Sequence, residues 1–304
     1  MIVKPGVLLM AHGTPSSPDE MPEYLRLTRG GRPPSPELVD EMRHNYAAIG
    51  GRSPLTDITL DQAEALRGRL GPDIPVAVGM RNWKPFIREA LADLAEAGAQ
   101  QVIAIPLAPQ FSTLSVTKYL DTATTALPVG MQLLPVESFH VHPLLLRAFA
   151  QRLSDAQPAP DEEVIFTAHS LPLRVITAGD PYANQVAATA RGIAALAGIR
   201  RYRRAYQSAG RTPETWIGLD LSDMIRYRAD RGTRKFLIVP IGFLCDHTEI
   251  LFDIDVQARA AAEECGAVAR RTASLNTLPT FIGVLEDLVR ARLPADRASS
   301  HEAR

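Results

Sequence analysis

The chain has 304 residues, a length that suits two domains of about 150 residues each. Hydrophobic residues make up 46% and charged residues 22% of the sequence, which excludes a disordered or fibrous protein. With 33 basic and 34 acidic residues the net charge is −1, so no global positive field draws the chain onto nucleic acid. An anionic ligand must therefore be recognised by a local cluster of cations.

The sequence carries no sign of membrane insertion or of a metal cluster. No apolar stretch approaches the roughly 18 residues of a membrane helix, and the early run GVLLMA is too short for a signal peptide. We therefore expect a cytoplasmic protein without stable membrane insertion. The only cysteines, Cys245 and Cys265, are fewer than the four thiolates that an iron–sulfur cluster normally needs, so no such cluster is expected.

Short apolar runs alternate with helical patterns along the chain, which predicts parallel sheets with crossover helices, an α/β fold. The predicted strands are 6–11, 75–80, 101–107, 131–137, 163–168, 201–207, 235–241 and 267–271. The predicted helices are 19–29, 36–47, 58–70, 85–97, 114–125, 143–155, 181–197, 213–230, 247–264 and 278–292. The polar tail 295–304 is predicted to be disordered.

A weak internal repeat predicts two similar Rossmann-like halves. VLLMAHGTP at 7–15 mirrors VIFTAHSLP at 164–172, and VIAIPLAP at 102–109 mirrors FLIVPIGF at 236–243. We therefore predict a first half over 1–130 and a second half over 131–294, joined by a linker near 125–142. The carboxyl ends of their strands are expected to face one interdomain cleft, where open α/β sheets bind ligands.

The strongest candidates for chemistry are two histidines at strand ends and one glutamate. His169 ends the run VIFTAH, and His247 and Glu249 follow the apolar corner PIGFLC. Imidazole with carboxylate suits divalent iron, zinc or manganese, and so few ligands make an open, weak site that hands a metal on. The same groups accept protons near neutral pH. Taken singly, His169 equally fits a buried histidine bonded to a carbonyl.

Acidic residues continue along the helix that follows. Asp246, Glu249 and Asp253 recur at three- and four-residue spacing on one face, opposite Ile250 and Ile254. Such a ladder can bind or relay cations, but a solvated acidic surface has the same pattern.

A segment over 24–53 holds five arginines among apolar and tyrosine side chains, namely Arg26, Arg29, Arg32, Arg43 and Arg52. These guanidinium groups could hold a flat ligand with carboxylates at its rim, or they could cover a solvated helix face. His12 ends the first strand as His169 ends its own. No GxGxxG, GxxxxGK[ST] or GxSxG phrase occurs, which counts against nucleotide binding and serine hydrolysis.

Taken together, these phrases resemble the ferrochelatase family, most closely the soluble single-chain type of Gram-positive bacteria that metallates coproporphyrin. In order from residue 8 to residue 255 they are LLMAHGTP, RGGRPPSPELVDEM, NYAAIGGRSPL, LAPQFSTLSV, TAHSLP, GDPYANQ, YQSAGRTPETWIGLD and PIGFLCDHTEILFDID. The most specific are TAHSLP and GF-x-x-DH-x-E.

The resemblance implies a chelatase-type fold and the insertion of Fe2+ into a porphyrin, with release of two pyrrole protons, in haem biosynthesis. His169 is implied to accept pyrrole protons and to touch the metal, and Glu249 to complete the metal site. His247 is implied to orient the helix start as a neighbour, while Asp253 and Asp255 extend a path for metal or protons.

Six further residues are implied to contact the macrocycle or its carboxylates: His12, Arg29, Asn45, Tyr46, Ser53 and Tyr119. Four of the six lie in a porphyrin-contacting segment over 19–55, and Trp216 is implied to wall the cleft. Asn45 stands where the coproporphyrin type often has a basic residue. His12 stands where that type tends to have tyrosine, so it is either a ligand of the product iron or a simple polar contact. Gln257 replaces a carboxylate, which weakens any second metal site.

The implied partners are porphyrin and Fe2+ as substrates, with transient contact to other haem-pathway enzymes, no nucleic acid and no tightly bound cofactor. Three alternatives remain: a protoporphyrin IX ferrochelatase, a cobalt or sirohydrochlorin chelatase, and a non-catalytic tetrapyrrole carrier. The segment over 24–53 and the GF-x-x-DH-x-E phrase favour iron and porphyrin over the second. A metallohydrolase would need a tighter ligand set.

Overall fold

The computed structural model describes residues 3–210 and 212–293, and within them the chain forms two four-stranded parallel sheets. The first contains β1 (Pro5–Ala11), β2 (Val76–Met80), β3 (Gln101–Pro106) and β4 (Gln132–Pro135), in the order β2-β1-β3-β4. The second contains β5 (Glu163–His169), β6 (Tyr202–Gln207), β7 (Lys235–Pro240) and β8 (Val268–Arg271), in the order β6-β5-β7-β8. The second sheet repeats the order of the first, with β5 to β8 in the places of β1 to β4. This repetition confirms the predicted pair of similar Rossmann-like sheets.

The repeated sequence phrases occupy equivalent strands. β1 and β5 are central strands that end at or just before a histidine, and β3 and β7 both end in proline. All seven residues of β1 are buried. Such unbroken apolar runs are typical of parallel strands that helices cover on both faces.

Helices connect the strands in the first half and cover its faces. They are α1 (Met21–Thr28), α2 (Pro36–Ala48), α3 (Leu55–Leu70), α4 (Ile87–Glu96) and α5 (Val116–Thr125), with a short 3₁₀ turn at Pro18–Glu20. α1 and α2 form a separate small core around Met21, Tyr24 and Tyr46, and Trp83 from the loop after β2 packs into it.

The second half contains α6 (Pro143–Asp155), α7 (Leu173–Thr177), α8 (Tyr182–Leu196), α9 (Leu221–Ala229), α10 (Arg259–Glu264) and α11 (Pro279–Arg290). The residues before α10, Ile250–Ala258, form a π-helix. The helix predicted over 247–264 therefore exists with a different hydrogen-bonding pattern. π-Helical turns are rare and frequently lie at functional sites.

The helix predicted over 213–230 is wrong in its first part, because α9 begins only at Leu221. Gly218 has a φ of 72°, and a Cβ there would clash with the Tyr206 ring. The chain therefore turns at Gly218 to pass over Tyr206, and Asp220 starts the helix by accepting a hydrogen bond from the backbone N–H of Ser222 at 2.8 Å.

The boundary predicted after residue 130 is also corrected. It would assign β4 to the second half, but β4 pairs with β3 in the register Val102↔Leu133 and Ile103↔Leu134. The first sheet therefore extends to Pro135, and the predicted linker over 125–142 contains one of its strands. The predicted disorder of 295–304 lies outside the described residues.

One hydrophobic core joins the halves. It includes Leu66 of α3, Phe149 of α6, Phe166 of β5 and Phe281 of α11. The guanidinium of Arg69 in α3 also donates to the carbonyl oxygen of Pro279 at 2.7 Å. The C-terminal helix therefore packs against both halves. Among the described helices, none is long and apolar enough to cross a membrane.

Candidate active site

The carboxyl ends of strands from both sheets face one cavity of about 420 Å³. His12 enters it just after β1 and Arg81 just after β2, while His169 enters it from the end of β5. His247 and Glu249 reach it from the loop between β7 and the π-helix. The predicted cleft at the strand ends is therefore present, and it brings together histidines from both halves.

His169, His247 and Glu249 lie side by side in this cavity. The His169 Nε2 atom is 3.7 Å from one carboxylate oxygen of Glu249, and the His247 Nε2 atom is 3.7 Å from the other. The ring of Phe243 lies against both imidazoles, with its centroid 6.4 Å from that of His169 and 4.7 Å from that of His247. The carboxylate of Glu249 is thus held between two imidazoles while 39% of its side chain stays accessible.

Hydrogen bonds on the far side of each ring orient the two imidazoles. His169 Nδ1 donates to the carbonyl oxygen of Ser170, and His247 Nδ1 donates to that of Cys245 at 3.0 Å. Nδ1 therefore carries a proton in each ring, and Nε2 is the ring atom turned towards Glu249. Gln207 fixes the glutamate backbone by donating to its carbonyl oxygen at 3.0 Å.

Glu249 is ionised across the working pH range. Burial opposes its ionisation, but the charges of His169, His247 and His12 and the hydrogen bond from His247 lower its pKa to about 2. Burial would also lower the pKa of His247, yet the Glu249 carboxylate raises it above the ordinary value. Glu249 and His247 therefore place a carboxylate charge beside an imidazole that favours its protonated form.

His12 is a neutral imidazole in the first half of the site. Desolvation inside the cavity, partly offset by the charge of Glu249, lowers its pKa to about 4, although the side chain remains accessible from the cavity. Its Nε2 atom lies 3.0 Å from the Tyr24 hydroxyl and 3.2 Å from the Asn82 amide nitrogen. At neutral pH the ring keeps a lone pair on one nitrogen, which can accept a hydrogen bond from these groups or bind a metal in their place.

The two outer acidic residues behave differently from each other. Asp253 accepts a hydrogen bond from Ser208, and burial together with the Glu249 charge raises its pKa to about 7. Asp255 instead forms a two-point ion pair with Arg271, with both N–O distances at 2.9 Å. Gln257 is exposed. Asp253 therefore couples to Glu249 as an acid that exchanges its proton near neutral pH.

The other predicted contact residues are divided between the cavity and the surface. Tyr46 and Tyr119 line the cavity and are buried, His12 lines it and is accessible, and Trp216 forms part of the wall. Among the described residues, Arg29, Asn45 and Ser53 do not line it. Arg29 is exposed, Asn45 is half-buried, and Ser53 is buried with its hydroxyl against the Leu55 backbone.

Arg81 is a cavity residue that the sequence reasoning missed. Of the arginines and lysines in the described part of the chain, it alone lines the cavity, and its guanidinium carbon lies 6.0 Å from the centroid of the Tyr119 ring. The strand-end position that pointed to His12 could also have pointed to Arg81, because Arg81 directly follows β2 as His12 directly follows β1. Its position predicts a contact with a negatively charged part of the ligand.

No three His, Cys, Asp or Glu side chains within 3–210 and 212–293 are grouped so as to enclose a metal ion. The imidazole–carboxylate pair of His169 and Glu249 is instead open to the cavity. Such a pair suits a metal that passes through the site.

A sequence profile of the ferrochelatase family matches residues 4–293, nearly the whole chain. The chain belongs to the ferrochelatase family. This ferrochelatase is 42% identical over 298 residues to the ferrochelatase of Deinococcus radiodurans, covering 93% of this chain and 94% of that protein. It is 36% identical over 304 residues to the coproporphyrin III ferrochelatase of Geobacillus sp. strain WCH70, covering 95% and 98%.

Solved structures show the same fold. The sirohydrochlorin chelatase SirB of Bacillus subtilis subspecies spizizenii, in complex with cobalt, superposes with a TM-score of 0.59 over 96% of each chain at 10% identity. This identity is too low to carry substrate or metal across. The predicted fold class and the family resemblance are both confirmed, so the protein is a metal–porphyrin chelatase of haem biosynthesis with porphyrin and Fe2+ as substrates.

Proposed function

We propose that this ferrochelatase inserts Fe2+ into coproporphyrin III and that His169 and Glu249 carry the reaction. The observation that carries the proposal is the approach of His169 Nε2 to the Glu249 carboxylate, 3.7 Å apart and open to a cavity between the sheets. The porphyrin loses two pyrrole N–H protons, the four nitrogens bind Fe2+, and the net charge is conserved.

His169 is the proposed first proton acceptor, since its Nε2 lone pair faces the cavity. Glu249 stays ionised because its pKa is about 2, so it attracts Fe2+ and stabilises the protonated imidazole. Asp253, with a pKa of about 7, is the proposed next acceptor that releases protons at neutral pH. Asp255 is left out of this path, because Arg271 holds both of its oxygens.

His12 is proposed as a ligand of the iron in the product. It belongs to the other half of the site, and its imidazole is neutral at neutral pH because desolvation lowers its pKa to about 4. Tyr46 and Tyr119 are proposed to contact the macrocycle, as both line the cavity. Contact with the rim of the bound porphyrin remains a prediction for Arg29, Asn45 and Ser53.

The preference for coproporphyrin III rests on the proposal that Arg81 faces a rim position that differs between coproporphyrin III and protoporphyrin IX. Coproporphyrin III carries propionates at positions where protoporphyrin IX carries apolar vinyl groups. A guanidinium inside a mainly apolar cavity gains from pairing with a carboxylate and is left without a partner by a vinyl group. Several similar proteins are named coproporphyrin III ferrochelatases and others simply ferrochelatases.

The catalytic assignment is tested with His169→Ala and Glu249→Gln. Each change should abolish Fe2+ insertion while porphyrin still quenches tryptophan fluorescence, because Trp216 lines the cavity. If a variant keeps porphyrin binding but loses turnover, the wild-type protein is a chelatase and not a non-catalytic carrier. Wild-type turnover in either variant would overturn the assignment.

The substrate is tested by steady-state Fe2+ insertion into both porphyrins under the same conditions. Coproporphyrin III should have the higher kcat/KM, and Arg81→Met should reduce that preference by about tenfold, the effect of about 1.4 kcal/mol from one charged pair. Arg88→Met is the matched control, since Arg88 is an exposed arginine near the same sheet edge with 73% of its side chain accessible. A preference for protoporphyrin IX would overturn the choice of coproporphyrin III.

A further inference from the structure

Arg271, the last residue of β8, ties together two carboxylates on either side of the proposed metal site. Its Nε and Nη2 atoms donate to Asp255 at 2.9 Å each, and its Nη1 atom lies 3.0 Å from an oxygen of Asp246. Only 14% of the Arg271 side chain is accessible, so these ion pairs are largely shielded from water. One guanidinium thus spans two acids that are nine positions apart in the sequence.

Asp246 is fixed further by the loop that follows β8. Its carboxylate accepts hydrogen bonds from the Ser274 hydroxyl at 2.7 Å and the Asn276 amide at 2.9 Å. Its backbone N–H donates to the Asn276 side-chain oxygen, also at 2.9 Å. Burial opposes ionisation, but these hydrogen bonds and the Arg271 charge lower the pKa of Asp246. Asp246 is therefore a charged anchor whose backbone and side chain are both held.

The two anchors, Asp246 and Asp255, flank Glu249 in the sequence. Asp246 immediately precedes His247, Asp255 lies in the π-helix, and Glu249 stands between them. A π-helix is a rare arrangement, and contacts from other elements can hold it in place. Arg271 supplies such contacts at both ends of this segment, because β8 ends beneath it.

We propose that Arg271 is a positioning residue for iron insertion: it holds the segment between Asp246 and Asp255 so that the Glu249 carboxylate stays between His169 and His247. This inference rests on the proposed role of Glu249. Arg271 itself touches neither substrate, since it does not line the cavity in the described part of the chain. It acts through the geometry of the turn that carries Glu249.

The preceding residue provides a matched control. Arg270 forms the same kind of two-point pair, with Glu162 at 2.7 and 2.6 Å, but it points to the opposite face of β8, away from the cavity. Loss of the Arg270 pair should therefore affect stability alone. Loss of the Arg271 pair should affect turnover in addition.

The variants are Arg271→Lys, Asp255→Asn and Arg270→Lys, measured for thermal unfolding, porphyrin affinity and Fe2+ insertion. Lysine keeps the charge of arginine but cannot form the two-point pair, and asparagine keeps the shape of aspartate without its charge. Arg271→Lys and Asp255→Asn should each lower kcat by about tenfold or more, as expected when a reacting group shifts by a fraction of an ångström. Porphyrin affinity should stay within about twofold, since the rest of the cavity is unchanged. Arg270→Lys should change kcat by less than about twofold, whatever change in melting temperature accompanies it.

The outcomes separate this inference from the proposed function. If Glu249→Gln abolishes insertion while Arg271→Lys and Asp255→Asn keep wild-type kcat, Glu249 is catalytic and the inference about Arg271 falls. If Glu249→Gln keeps wild-type turnover, the role of Glu249 fails first, whatever the Arg271 variants do. An equal loss of kcat in Arg270→Lys and Arg271→Lys would indicate general destabilisation and would also overturn the inference.

Discussion

Three imidazoles share one cavity, and each has different neighbours. His169 and His247 turn Nε2 towards Glu249, whereas His12 faces the Tyr24 hydroxyl and the Asn82 amide. Desolvation keeps His12 neutral, while the Glu249 carboxylate raises the pKa of His247. The same residue type is therefore suited to metal ligation in one position and to proton holding in another.

Replacement of His12 tests its proposed contact with the product iron. In His12→Phe, the Soret band of the bound iron porphyrin should shift because one nitrogen ligand is lost, whereas binding of the metal-free porphyrin should change little. Absorption spectra of the two complexes measure this difference. His44→Phe is the control, since His44 is exposed on α2. An unchanged Soret band in His12→Phe would leave His12 as a simple polar contact.

The π-helix is the element that relates the metal site to the protein interior. It begins directly after Glu249 and carries Asp253 and Asp255, which have different partners. Asp253 bonds to Ser208 at the end of β6, and Asp255 pairs with Arg271 at the end of β8. The π-helix is thus bonded to the ends of both edge strands of the second sheet, β6 and β8.

Asp253 predicts a specific dependence of stability on pH. Its pKa is 3.8 in the unfolded chain and about 7 in the folded protein, because burial and the Glu249 charge disfavour its ionised form. Between these values the folded state binds more protons, so the contribution of Asp253 to the free energy of unfolding decreases as pH rises from about 4 to 7. Denaturant unfolding at several pH values should show that Asp253→Asn gains stability relative to the wild type over this window.

Asp93→Asn is the control for this pH series, because Asp93 is exposed on α4. It should follow the wild-type curve. A constant difference in the free energy of unfolding between Asp253→Asn and the wild type from pH 4 to 7 would contradict a raised pKa for Asp253.

At the scale of the whole molecule, the two sheets are separate but the hydrophobic core is shared. α11 packs on α3 of the first half and α6 of the second, and Phe281 is fully buried between them. The cleft geometry depends on this packing, since the strand ends of the two sheets must stay face to face. We therefore expect the halves to unfold together.

Phe281→Ala tests that expectation. The change should lower the free energy of unfolding by about 3–5 kcal/mol through lost burial and a cavity, while unfolding remains a single transition. Trp83 reports on the first half and Trp216 on the second, so the single-tryptophan variants Trp83→Phe and Trp216→Phe follow each half by fluorescence. Leu60→Ala, at a 44% exposed position of α3, is the control. Two separate transitions would contradict a shared core.

Local patterns predicted most of the elements but not every boundary. The apolar runs located all the strands of both sheets, and the strand-end rule located His12, His169 and the His247–Glu249 turn. The helix predicted from 213 was wrong because Gly218 turns over Tyr206, a contact between residues distant in sequence. The predicted boundary between the two halves was wrong because a local pattern shows where a strand lies but not which strand it pairs with.

The sequence by itself determined the α/β class, the two-fold repetition of its strands and the residue types at the strand ends, because hydrophobic period and strand termini are local properties. Only the tertiary structure decided which of those residues share the cavity. It turned Asp255 towards Arg271 rather than towards a metal path, and it brought Arg81 into the cavity while leaving Arg29 on the surface. The physical reason is that ion pairing and burial depend on distances between separate elements, which are fixed only when the sheets and helices pack together.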